Sequence, residues 1–173
     1  MADTRAKYVS TIALLGSLAV IFEVLPLDVP YPLFPRITYD PAGIPATLAT
    51  MLYGISAGVL VQLMGCFGIL THGDWLGSLA KGCAEISTIV PLYIVIRYCN
   101  IRTLGGKLCL LTIPPASRAI AMSFFNYYIT TLLLGIPKSL MYNLLLPIAV
   151  FNVTQAWINI IVSYAVYNRI KED

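Results

Sequence analysis

Five stretches of this chain are apolar for nearly long enough, or more than long enough, to cross a lipid bilayer, and that repetition constrains the fold more than any motif. A membrane helix needs roughly 20 mostly apolar residues, because the hydrocarbon is about 30 Å thick and each residue rises 1.5 Å. Residues 8–25, 44–70, 76–98, 114–135 and 147–167 are the stretches concerned. Composition agrees: 58% of the residues are hydrophobic and 11% charged. A soluble domain is nearer about 25% charged. So few charges cannot cover a globule with polar groups, which excludes a soluble enzyme and a disordered chain. A net charge of +3 is too small for a phosphate-binding surface, so no nucleic acid is expected. The class that remains is all-α, a polytopic membrane protein. Residues 1–173 read as one transmembrane domain, with no internal repeat. The first span is not a cleaved signal peptide, because Glu23 and the prolines after it do not form a small-residue cleavage site.

Topology turns on residues 44–70, which carry Gly54, Gly58, Gly65 and Gly68. As one helix they give five spans; as two short helices turning near Gly54 to Gly58 they give six. The positive-inside rule separates the two. With six spans and the N-terminus inside, Arg5, Lys7, Arg97, Arg102, Lys107, Arg169 and Lys171 lie inside, and the outer loops keep only Arg36 and Lys138. We therefore expect six transmembrane helices in the cell membrane, with both termini cytoplasmic. Short helices of about 14 residues reach only about 21 Å, so neighbours must shield them or the bilayer must thin. Pro114-Pro115 is expected to open the fifth helix and Pro147 the sixth.

Chemical motifs are missing. No P-loop, G-x-S-x-G or H-E-x-x-H occurs, and His72 is the only histidine. Cys66, Cys83, Cys99 and Cys109 show no C-x-x-C spacing and read as small apolar residues. Asn152-Val153-Thr154 fits a glycosylation sequon but lies inside an expected span. Nothing points to an enzyme, a metal or a cofactor.

The polar residues inside the spans are the candidate site, since each intramembrane charge costs about 2.5–3.5 kcal/mol at mid-span. Ser78, Lys81, Glu85 and Thr88 share one helix face, and Lys81 and Glu85 are spaced to pair at i, i+4. That pair either binds a ligand or neutralises itself against neighbouring helices. In the fifth helix, Ser123, Asn126, Tyr127, Thr130 and Thr131 lie on one side, as ligand contacts or interhelical glue. Arg118 is expected to snorkel to the cytoplasmic surface. Asn152, Gln155, Asn159 and Ser163 form an amide stripe that must face the bundle interior. Asn152 and Gln155 lie in the outer half, where an external ligand would arrive. The loop at residues 27–41 holds Asp28, Tyr31, Phe34, Arg36, Tyr39 and Asp40 among prolines, which suits a lid over an outward cavity. Ala13 and Ser17 form a small-x-x-x-small pair that lets another helix approach closely.

Several of these residues fall into an ordered set. Tyr39-Asp40-Pro41, Ile44-Pro45-Ala46 and Leu52-Tyr53-Gly54 with Gly58 resemble the substrate-binding S components of energy-coupling factor (ECF) transporters. The riboflavin-specific members are nearest, with a motif of roughly K-Y-D-P-x-D-I-P-A. Asn126-Tyr127 resembles the family's N-Y pair in the fifth helix, Pro147 with Phe151-Asn152 its P-F-N-x-x-K segment, and Ala13-x-x-x-Ser17 its A-x-x-x-A motif. The resemblance covers nearly the whole chain, in order.

It implies a vitamin-binding subunit of an ECF-type ABC uptake transporter. Such a subunit holds a vitamin-like small molecule, most simply riboflavin, as transported ligand, and docks through its first helix on a membrane-embedded coupling subunit carried by two cytoplasmic ATPases. On this reading Tyr39, Asp40, Lys81, Glu85, Asn126, Tyr127, Asn152 and Gln155 contact substrate, and Ala13 and Ser17 face the coupling subunit. The sequence departs from the pattern where Thr38 and Gln155 replace lysines, Gly43 an aspartate and Lys81 an asparagine. The third helix has Gly65-Cys66 in place of the usual lysine-asparagine pair. Two other readings stay open: an S component for a different vitamin or metabolite, and a membrane subunit that binds no ligand.

Overall fold

A computed structural model describes residues 2–25, 27–33, 37–135 and 137–172. Helix α1 spans Ala2–Val24. A two-residue antiparallel ribbon follows, β1 (Val29–Pro30) against β2 (Thr38–Tyr39), with Val29 opposite Tyr39. Then come α2 (Gly43–Tyr53), α3 (Ile55–Leu70), α4 (Trp75–Tyr98) and α5 (Leu104–Phe125). A π-helical turn at Asn126–Thr130 leads into a last α turn, α6 (Thr131–Leu134), and α7 covers Lys138–Glu172. Among the described residues four stretches are long and apolar enough to cross a membrane: Arg5–Val24, Trp75–Tyr98, Leu104–Leu133 and Lys138–Glu172. Large apolar side chains such as Leu14, Phe67, Trp75 and Leu146 cover the outer surface, as a bundle in lipid requires.

The glycine-rich block is indeed two helices. Gly54 divides them at φ +92°, a backbone conformation that costs most side chains strain and glycine little. The division is uneven, 11 residues in α2 and 16 in α3. At 1.5 Å per residue α2 is only about 16 Å long. It is shielded by α1, α3, α4 and α7, and nearly every residue from Gly43 to Met51 is buried.

The expected starts of the last two long helices are corrected. The fifth begins at Leu104, where the Thr103 hydroxyl caps it by accepting the Gly106 N–H at 3.2 Å. Pro114 and Pro115 lie inside it. Pro115 has no N–H to give the Leu111 carbonyl, and Trp157 Nε1 of α7 donates to that oxygen at 2.8 Å instead. The last helix begins at Lys138, with Pro147 in its interior. Packed membrane helices tolerate such prolines when neighbours take up the freed carbonyls.

The connections sort to two ends. The 27–41 loop, the α3–α4 turn and the α6–α7 connection share one. The Gly54 break, the α4–α5 loop and the helix termini near both chain ends share the other. The seven basic residues used to orient the chain all belong to the second end.

Candidate functional site

At the loop end the helices enclose a cavity of about 270 Å³. The loop supplies Ile37, Thr38 and Asp40; α4 supplies Lys81 and Ala84; α5 supplies Arg118 and Met122; α7 supplies Ile148, Phe151 and Asn152. Asn126, first residue of the π turn, completes the wall. The ribbon seats the loop. Tyr39 donates or accepts a 2.7 Å hydrogen bond with Thr154, and its ring lies 5.0 Å from Phe151. Tyr31, nearly buried, packs edge-on against Tyr39 at 5.7 Å. Phe34 and Arg36, expected in the same lid, lie outside the described residues.

Among the described residues two cations face the cavity, and carboxylates hold both. Lys81 Nζ lies 2.5 Å from Asp40 Oδ1 and 3.2 Å from Glu23 Oε1 on α1. The same Asp40 oxygen accepts the Ala42 N–H, and Gln155 Nε2 donates to the Asp40 carbonyl at 2.7 Å. The other Gln155 side-chain atom, Oε1, is buried with no hydrogen-bond partner among the described residues. Arg118, 3% exposed, donates from Nη1 to Glu85 Oε1 at 2.6 Å and from Nε to Asn152 Oδ1 at 3.1 Å. Fully buried Glu85 also accepts from Asn159 Nδ2 at 3.2 Å to each oxygen. A Cβ at Gly43 would collide with that Asn159 amide and come within 2.7 Å of Glu85 Oε1, so glycine keeps α2 close to the pair. Desolvating two ions in a membrane core is tolerable only with this degree of pairing and hydrogen bonding.

Asp40, Lys81, Asn126 and Asn152 line the cavity directly. Glu85 stands behind Arg118, Gln155 behind Asp40, and Tyr39 beside Phe151. Tyr127 is not brought in: it points to Tyr142, with the hydroxyls 3.3 Å apart, in a separate apolar depression. The expected Lys81–Glu85 pair does not form either, because each finds its partner across a helix boundary. Arg118 does not snorkel. With α5 starting at Leu104 it sits about 21 Å along the helix, too deep to reach the surface. The sequence signal for a second ion pair was Glu23, a charge inside the first span that Lys81 and Glu85 alone leave without a partner. Met122 carried no such signal, and Phe151 stood out only through the resemblance of Pro147 with Phe151-Asn152. Ala13 and Ser17 lie exposed on α1 beside Leu14 and Leu18, while Ile12, Leu15 and Gly16 turn inward.

The family model described as "ECF transporter, substrate-specific component" matches residues 7–167. The chain belongs to that family. Among curated relatives, the riboflavin transporter RibU of Staphylococcus aureus (strain TCH60) is 28% identical over 131 residues, 75% of this chain and 68% of that protein. A solved structure described as the S component of a bacterial ECF transporter superposes with a TM-score of 0.80 at 26% identity, covering 97% of each chain. This S component is therefore the substrate-specific part of a membrane transporter, and the family is not one of enzymes.

Proposed function

We propose that this S component binds riboflavin from outside the cell for uptake. The observation that carries the reading is the charge balance of the cavity. Lys81 and Arg118 are matched by Glu23, Asp40 and Glu85, so among the described residues no unpaired cation faces the cavity to hold a phosphate. The rest of the lining is amide (Asn126, Asn152), hydroxyl (Thr38) and apolar or aromatic surface (Met122, Phe151). That lining suits a neutral molecule with a flat apolar ring and a polyhydroxyl tail. The similarity to a protein named as a riboflavin transporter points the same way. At about 270 Å³ the cavity stands just below the ~300 Å³ lower end of small-molecule sites, and a larger ring system would have to displace the wall that Ile37 and Thr38 form.

In this reading the chain is one plasma-membrane unit crossing six times, with α2 and α3 as short passes and both termini cytoplasmic. Its partners are a transmembrane coupling subunit and two cytoplasmic ATPases, and the exposed Ala13 and Ser17 face the coupling subunit. It needs no cofactor of its own. Purified protein should be yellow and should quench riboflavin fluorescence stoichiometrically, with phosphorylated flavins binding at least tenfold more weakly. A colourless preparation that leaves riboflavin fluorescence unchanged overturns the assignment.

A further inference from the structure

We propose that the opposite, basic end carries a second site, one that holds an anionic phospholipid by its headgroup and the first part of an acyl chain. A cavity of about 480 Å³ opens there between the α4–α5 loop and the end of α7. Arg102, Lys107 and Lys171 line it together with one carboxylate, Glu172, and that carboxylate already has Arg169 3.9 Å away. Tyr164 donates to the Ile101 carbonyl at 3.0 Å, which fixes the loop that carries Arg102. Lys171 Nζ stands 5.9 Å above the Tyr167 ring. The contrast with the substrate cavity is direct. There every cation is held by at least one carboxylate; here three exposed cations line one cavity with a single carboxylate, which lies nearest Arg169.

Charge alone would suit any phosphate. The adjoining surface narrows the choice. A groove of about 320 Å³ runs between α5 and α7, lined by Leu110, Leu111, Ile160 and Ile161. Lys107 and Tyr164 line both the groove and the basic cavity. A headgroup in the cavity would therefore lead its acyl chain into an apolar channel, and a free anion would leave that channel unused. Basic pockets between membrane helices on the cytoplasmic side bind anionic headgroups, each Lys or Arg near the surface contributing about fivefold in affinity.

The test uses the full chain in a neutral detergent at fixed salt, with binding read by native mass spectrometry and by the thermal unfolding midpoint. The probes are dioctanoyl phosphatidylglycerol, dioctanoyl phosphatidylcholine and inorganic phosphate. The phosphatidylglycerol is expected to bind at least tenfold more tightly than the phosphatidylcholine. Replacing Arg102, Lys107 and Lys171 together by Gln should weaken it about a hundredfold, three such charges compounded. Ile161→Trp, which fills the groove and keeps every charge, should weaken phosphatidylglycerol while leaving phosphate untouched. Equal binding of the two lipids, or an unaltered lipid preference in the triple variant, overturns the proposal. Inorganic phosphate stabilising the protein as strongly as the lipid also overturns it, leaving an anion site without a lipid. The lipid-free unfolding midpoint shows that each variant is folded, and none of the readouts involves riboflavin.

Discussion

The two ends of the bundle use the same kinds of residue under opposite rules. At the loop end Lys81 and Arg118 lie deep among helices, and Glu23, Asp40 and Glu85 are folded in with them. At the other end Arg102, Lys107, Arg169 and Lys171 are exposed. A charge in the membrane interior is kept only when a partner and hydrogen bonds offset its desolvation, whereas a charge at the surface needs neither. The sharpest way to break this contrast is to remove one partner of the most buried pair. Arg118→Met leaves fully buried Glu85 without its cation, and breaking such a pair costs about 3–5 kcal/mol. The unfolding midpoint in detergent should fall by about 10 °C or more. Adding Glu85→Gln should restore most of the loss, because the orphaned charge goes with it. A single variant as stable as the parent would mean that the Arg118–Glu85 pair does not hold this end of the bundle together.

Lys81 tests the intermediate case. Its side chain is 12% exposed and it bridges two carboxylates on different elements, Glu23 on α1 and Asp40 on the loop. Lys81→Met should leave those acids repelling across the cavity mouth and loosen the loop. The fall in stability should be smaller than for Arg118. Riboflavin affinity, measured by fluorescence quenching, should drop about tenfold, equivalent to 1.4 kcal/mol. Lys81→Arg should recover part of it. If affinity falls equally in Lys81→Met and in Lys81→Met with Asp40→Asn, the lysine contacts the ligand rather than positioning the loop.

A smaller effect is expected midway between the ends. Trp157→Phe removes the donor that occupies the Leu111 carbonyl opposite Pro115, a loss of about 1 kcal/mol in stability with ligand binding unchanged. This contact also shows where sequence reasoning stops. Prolines 114, 115 and 147 looked like helix starts because a lone helix cannot keep them inside; a neighbour's indole N–H removes that objection at Leu111, and no one-dimensional pattern reveals it. The misplaced start then hid the depth of Arg118. Lys81 and Glu85 were correctly put on one face, but their partners lie 41 and 33 residues away in sequence, on other elements. Features that rest on local chemistry were legible: the break at Gly54, the buried amide stripe of Asn152, Gln155 and Asn159, and the basic end. Tyr127 failed for a local reason of another kind, since it lies in a π-helical turn where the 3.6-residue period no longer gives the facing.

The smallest expected effect belongs to the exposed end. Arg169 and Glu172 are 3.9 Å apart, with side chains 87% and 70% exposed. Water screens such a pair, and ordering two long side chains offsets what attraction remains. Arg169→Gln should therefore leave the lipid-free unfolding midpoint where it was. It should still register in one place. Glu172 borders the basic cavity, and without Arg169 beside it the carboxylate is released towards Lys171 and Arg102, where it competes with a lipid phosphate. Phosphatidylglycerol affinity should weaken by about fivefold or less, the worth of one surface charge. The variant thus separates what a charge does for the fold from what it does for a ligand, and a clear loss of stability would show that the two ends do not obey different rules.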